Sequence, residues 1–217
     1  MANQFIYGAN PVVEAERGRR RVHRIWRSPE TSAEELERLC GSPDHQGVVA
    51  EVDPYPYGDP VAMLKREGSL LLALDQIQDP RNLGAVCRSA ECAGAAGVVI
   101  PERRSAAVTP VVCKTSAGAV EHLEVAHVRN LADWLAEAKE AGFWIWGADA
   151  EAEQAPWAVD LTGSTVIVLG GEGKGLRPRV ASACDGLVAL PQHGRVESLN
   201  VSAAATALLF EARRQRG

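Results

Sequence analysis

The sequence predicts an α/β protein: a mostly parallel sheet covered by helices on both faces, preceded by a smaller α/β unit. Three observations carry this. From residue 60 onward, short and fully apolar runs alternate with helical stretches, and buried apolar strands separated by helices belong to parallel sheets. The first 60 residues keep another rhythm, with the strand-like segments VHRIW and GVVAEVD around a capped helix. Between the two lies PYPYGDP, residues 54–60, whose three prolines and glycine read as a linker. The predicted units are residues 1–60 and 61–217.

Each element has its own justification. FIYGANPVVEAERG starts with an aromatic-rich segment and continues as a short helix entered through Pro11. VHRIW alternates like a strand. TSAEELERLC has capping-box spacing from Ser32 to Glu35, with Leu36, Leu39 and Cys40 as an apolar stripe, so it forms a helix. GVVAEVD is a second strand. In the larger unit, LLLALD is an apolar strand ending in an acid, and a helix from about Asn82 carries Val86 and Ala90 on one face. AAGVVI is the next strand, and a helix follows near residues 111–119. HLEVAHV is a strand, and LADWLAEAKEAG is an amphipathic helix closed by Gly142. FWIWGAD, STVIVLG and GLVALP complete the strands. The final stretch becomes a helix that starts near Ser198 and Asn200, residue types that suit a helix N-terminus.

Composition narrows the function classes. A formal charge of -5 on 217 residues argues against a uniformly basic nucleic-acid binder but leaves room for local patches. One is RGRRRVHRIWR, residues 17–27, which contains no acid; it reads equally as a solvated turn and strand or as a basic contact surface. The five cysteines include no CxxC pair, so the expected setting is reduced and cytoplasmic, without structural zinc. No apolar run approaches the roughly 20 residues of a membrane span.

Three strand ends carry unusual polar chemistry, and strand carboxyl ends are where open α/β sheets bind ligands. In DQIQDPRNLGAVCRSAECAG, Asp79-Pro80 makes a turn. Taken alone, this segment favours Asn82 as a helix cap and Arg88 as a surface arginine. In VIVLGGEGKGL, four glycines surround Glu172 and Lys174 and let backbone approach a ligand closely. A P-loop is excluded, because Val168 and Gly175 stand where Gly and Ser or Thr are needed. Glu172 also has the wrong charge to face phosphates. The third segment, LPQHGRVESLNVSAAATALLFEARRQR, sets Ser198 and Asn200 at a helix start, where they cap or also bind. His193 in its loop reads as solvent-facing.

Together, DPRNLGAVCRSA, VLGGEGKGL and LPQHGRVESLNVSAAATALLFEARRQ resemble the three motifs of the SpoU (TrmH-type, SPOUT superfamily) RNA ribose 2′-O-methyltransferases. FIYGANPVVEAERG and HQGVVAEV resemble the two ends of the family's L30e-like substrate-binding domain, here shortened between VHRIW and TSAEEL. The pattern is most similar to the subgroup that methylates a guanosine in the peptidyl-transferase region of 23S rRNA; a tRNA substrate is the alternative. The resemblance implies a C-terminal trefoil knot, a homodimer, S-adenosylmethionine as methyl donor and no metal. It places Leu169, Gly170, Glu172, Gly173, Leu190, Pro191, Ser198, Leu199 and Asn200 around the cofactor. It makes Arg88 the catalytic arginine, with Asn82, Glu172, Ser198 and Asn200 as further functional positions. Arginine suits RNA phosphates and unpaired bases, so Arg17, Arg19, Arg20, Arg21 and Arg24 of the presumed recognition domain are the expected RNA contacts. The general base stays open, since a guanidinium keeps its proton far above neutral pH.

Overall fold

The computed structural model describes residues 3–171, 175–195 and 198–217. The larger part is a six-stranded sheet in the order β6-β5-β4-β8-β7-β9. Its strands are β4 (Leu70–Asp75), β5 (Gly97–Pro101), β6 (Val125–Val128), β7 (Trp144–Ala148), β8 (Thr165–Gly170) and β9 (Gly186–Val188). All its neighbouring pairs are parallel. Every residue of β4 is buried, as a strand covered on both faces requires. Leu70, Leu72 and Leu74 point into one core with α4 (Pro80–Cys92), α5 (Pro110–Thr115) and α8 (Val201–Arg216). Leu71 and Ala73 point into the opposite core with α6 (Leu131–Glu140) and α7 (Pro178–Ala183). Burying each such leucine contributes about 1.5–3 kcal/mol. Gly84 lets α4 lie close to α5, since a Cβ there would stand 1.9 Å from Thr115 Oγ1.

The expected strands are present, with differences at the edges. The helix expected from Asn82 begins at Pro80, because Asp79 takes the cap and its carboxylate accepts the Arg81 N–H at 2.8 Å. The helix expected over residues 111–119 ends at Thr115, and a single 3-10 turn, Ala119–Glu121, follows. The short helices α3 (Pro60–Met63) and α7 carry too little periodic pattern to be read from sequence.

The smaller part is an antiparallel sheet, β1 (Gln4–Tyr7), β3 (Val48–Val52) and β2 (Val22–Arg27) in that order, with α1 (Ala9–Arg17) and α2 (Ala33–Cys40). The aromatic-rich start of the chain is thus a strand. Ser32 caps α2, accepting the Glu35 N–H at 3.2 Å, as its spacing predicts. The connecting PYPYGDP is packed rather than free. Tyr55 is buried and its hydroxyl donates to the Leu123 carbonyl at 2.7 Å; the Tyr57 hydroxyl accepts the Val108 N–H at 2.9 Å. Ile6, Val12 and Val48 share one apolar cluster with Leu72 and Val112, so the two parts share a core.

A buried ion pair fastens that junction. Arg20 on the α1–β2 turn meets Glu121, both side chains 1% exposed, and also donates to Cys113 Sγ at 3.3 Å. Burial opposes the guanidinium charge, but the Glu121 hydrogen bond and neighbouring charges outweigh it and hold the Arg20 pKa above its ordinary value.

Candidate functional site

In the parallel sheet, the order reverses at β4 and β8: β5 and β6 extend one way, β7 and β9 the other. Such a switch point opens a crevice at the carboxyl ends of the strands. A cleft of about 740 Å³ lies to one side of it, between the ends of β7, β8 and β9 and the start of α8. Its floor is apolar: Leu169, Val188 and Leu208 are each at most 2% exposed. One side is glycine backbone. A Cβ on Gly170 would stand 2.1 Å from the Gly175 carbonyl carbon and 2.6 Å from the Leu176 nitrogen, so only glycine permits the crossing. The Gly175 N–H donates to the Gly171 carbonyl at 3.2 Å, closing that side.

The opposite wall is Ser198, Leu199 and Asn200. Leu199 is 48% exposed, a large apolar side chain that a bound ligand would cover. The described lining holds two carboxylates, Asp149 and Glu151, and neither lysine nor arginine. Asp149 is held in place by accepting the Glu151 N–H at 2.9 Å. An apolar floor, backbone hydrogen-bonding edges and negative charge suit a ligand that combines an apolar ring system with positive charge. S-adenosylmethionine, with its purine, sulfonium and ammonium groups, fits this donor set; a polyphosphate does not.

A second recess of about 290 Å³ shares Gly171 and Gly175 with the cleft and opens at the end of β4, where Asp79 and Asn82 line it. Asn200 joins the two. Its Oδ1 accepts the Ser202 N–H at 2.9 Å, capping α8, and its Nδ2 donates to Asn82 Oδ1 at 3.1 Å. The cap of α8 is therefore Asn200, and Ser198 stands ahead of the helix in the cleft wall. Asp75 organises the floor between the recesses. Its fully buried carboxylate accepts from the Arg177 backbone N–H at 2.9 Å, Nε at 2.8 Å and Nη2 at 2.7 Å. That clamp fixes the chain just after Gly175.

Leu169, Gly170, Leu190, Ser198, Leu199 and Asn200 all line the one cleft. Pro191 lines an adjoining shallow pocket beside Leu190 instead. Glu172 and Gly173 lie outside the described residues. Arg88 is exposed on α4, six residues beyond Asn82, and lines neither the cleft nor the recess. The α4 face toward α8 is marked by Asn82 and by Ser89, which bonds Thr206 at 2.7 Å; Arg88, one position before Ser89, lies about 100° round the helix from that face. Among the described residues, no three His, Cys, Asp or Glu side chains stand together as a metal site. No helix among them is long and apolar enough to cross a membrane.

The arginine patch of residues 17–27 needs one correction. Arg20 is buried against Glu121 and is not available to RNA in this fold. Arg19 donates to the Leu123 carbonyl at 2.8 Å and the Tyr55 hydroxyl at 3.0 Å, and Arg17 pairs with Glu14 at 3.3 Å. Arg21 is exposed, and exposed Arg24 lies over the Trp26 ring at 4.8 Å. Glu121 and Glu124, which engage Arg20 and Arg19, come from more than 100 residues away, so a patch free of acids in sequence is not free of them in space.

Residues 69–210 match the SpoU rRNA Methylase family, and residues 30–58 match the RNA 2′-O ribose methyltransferase substrate binding family. The putative TrmH family tRNA/rRNA methyltransferase YacO of Bacillus subtilis is 37% identical over 240 positions, covering 99% of this chain and 96% of that protein. The 23S rRNA (guanosine-2′-O-)-methyltransferase RlmB of Pseudomonas syringae is 48% identical over 179 positions, covering 79% of this chain and 71% of that protein. The crystal structure of the SpoU methyltransferase AviRb from Streptomyces viridochromogenes in complex with AdoMet superposes with a TM-score of 0.82 at 27% identity, covering 99% of this chain and 91% of that one.

Proposed function

This chain belongs to the SpoU rRNA Methylase family, and from that premise we propose that it transfers a methyl group from S-adenosylmethionine to the ribose 2′-hydroxyl of a guanosine in the peptidyl-transferase region of 23S rRNA. The observation that carries the reading is the Asn200–Asn82 hydrogen bond, 3.1 Å, at the junction of cleft and recess. It brings the first and third motif segments together beside the glycines of the second. The guanosine and 23S rRNA choices are supported by the likeness to RlmB. A tRNA target is the second reading, favoured by the tRNA/rRNA naming of the Bacillus relative.

The bound cofactor supplies an activated methyl on a sulfonium, so the protein needs no metal for the transfer. Its own residues have two tasks. The first is alignment, which can contribute several kcal/mol to lowering the barrier. The glycine backbone and the Asp149–Glu151 carboxylates hold one reactant; Asn82 and Asn200, each fixed by the other, orient the ribose in the recess. The second task is the ribose proton. Ser198 stands in the wall beside Asn200, and we assign Arg88 to the target phosphate, since a guanidinium keeps its own proton far above neutral pH. Arg88 lines neither the cleft nor the recess of its own chain, so we rest this role on a homodimer across α4 and α8. There, exposed Ala203, Ala207 and Phe210 form a small-residue and aromatic stripe on α8 suited to close helix packing. We assign residues 1–60 to substrate recognition in the manner of a shortened L30e-like domain. We extend the family reading to a C-terminal trefoil knot, formed within the segment of residues 69–210 that matches the family.

The test is labelled methyl transfer by the purified protein to 23S rRNA and tRNA transcripts. Ribose methylation at one 23S guanosine is the expected result. Transfer to tRNA alone would select the second reading, and transfer to neither would refute both.

A further inference from the structure

Beyond the recess, along the carboxyl ends of β5 and β6, runs a groove of about 540 Å³ whose charge is opposite to that of the cleft. Arg103 follows β5, Arg129 follows β6, and Arg179 opens α7. Arg104 stands beside Arg103 with a left-handed backbone, φ 61°, uncommon for a residue with a side chain. The only carboxylate among the described lining residues, Asp133, is held by Arg179 at 2.6 Å. Arg103, Arg104 and Arg129 are exposed and make no ion pair among the described residues. The groove is continuous with the reactive site, because Gln76 and Arg177 line both it and the recess holding Asn82.

We propose that this groove is a docking track for the phosphodiester backbone of the substrate RNA flanking the methylated nucleotide, held by Arg103, Arg104 and Arg129. The inference rests on the methyltransferase reading for what the RNA is, and on the groove alone for where it binds. Three uncompensated guanidiniums along one channel are a chemistry for repeated phosphates. The wall of Gln76 and Arg177 shared by groove and recess lets a strand held in the groove lead one nucleotide into the recess. In a protein of net charge -5, such a track gives local attraction that the whole molecule lacks. It also relocates part of the RNA contact from residues 17–27, where Arg20 is buried and Arg19 is bonded within the protein.

The test compares wild type with the triple variant Arg103→Ala/Arg104→Ala/Arg129→Ala, and with Arg103→Glu/Arg129→Glu. RNA affinity is measured over a salt series with an in vitro 23S rRNA fragment spanning the peptidyl-transferase region, and S-adenosylmethionine affinity by calorimetry. Each phosphate contact contributes about 0.7–0.9 to the slope of log affinity against log salt. The triple variant is expected to lower that slope by about 2–3 and to weaken binding by between about tenfold and a hundredfold at 0.1 M salt, with cofactor affinity unchanged. The charge-reversed variant is expected to bind more weakly still. KM for RNA should rise while kcat at saturating RNA holds. Unchanged affinity and slope in both variants would overturn the proposal, as would a wild-type protein with no affinity for the fragment. If wild type binds the fragment but transfers no methyl, the activity reading fails, and the slope comparison still decides the groove.

Discussion

Substituting Gly170 by alanine perturbs the site at its tightest point. The added Cβ would lie 2.1 Å from the Gly175 carbonyl carbon, 2.2 Å from its oxygen and 2.6 Å from the Leu176 nitrogen, whereas ordinary contact begins at 3.4 Å. The backbone of residues 175–176 must retreat by more than 1 Å, and no side-chain rotation can relieve the clash because all three atoms are main chain. Overpacking of this kind costs about 1–3 kcal/mol, or about 2–12 °C in Tm for a chain of this size. The larger effect falls on ligand binding, since the displaced backbone lines the cleft and is tied to Asp75 through Arg177. S-adenosylmethionine affinity, measured by calorimetry, is expected to fall at least tenfold. Gly163→Ala is the control, because nothing stands within 4 Å of a Cβ there, and it should leave both quantities unchanged. A Gly170→Ala protein with wild-type Tm and cofactor affinity would refute the backbone-cradle account.

Three further outcomes follow from the same contacts. Asp75→Asn removes a charge that accepts three donors from Arg177; because the Arg177 side chain is 43% exposed and can rehydrate, the loss should be about 1–3 kcal/mol in chemical denaturation, with weakened cofactor binding. Arg20→Ala leaves Glu121 buried and unpaired and should cost about 3–5 kcal/mol, whereas Arg20→Met/Glu121→Leu should recover most of that; an Arg20→Ala protein within about 0.5 kcal/mol of wild type would contradict the buried pair. Arg88→Ala should abolish methyl transfer while leaving cofactor affinity intact, and near-normal methylation would remove Arg88 from the mechanism.

What could be read in the sequence was what is local or repeated. The six strands of the main sheet announce themselves as short apolar runs, and Ser32 to Glu35 announces its own cap. The glycines at 170, 171 and 175 were legible because a loop so rich in glycine needs a reason, and the reason is the close crossing at Gly170. Pairings across long separations were not legible. From its own segment Asn82 reads as a cap, and only the family resemblance makes it functional; the structure gives the cap to Asp79 and bonds Asn82 to Asn200, 118 residues away. Arg20 read as part of a free basic patch because Glu121, 101 residues on, leaves no local trace. The acids Asp149 and Glu151 and the arginines at 103, 104 and 129 carry no motif of their own, although each follows a strand carboxyl end. Their one legible signal is that position, since open α/β sheets bind ligands at strand carboxyl ends.

The central claim is that this chain methylates one rRNA ribose, and it is tested most directly by mapping 2′-O-methylation across rRNA and tRNA from cells with and without the gene. The account predicts loss of a single methylated guanosine in the peptidyl-transferase region of 23S rRNA, restored by the wild-type gene and not by Arg88→Ala. An unchanged 23S map, with or without a lost tRNA methylation, would contradict it.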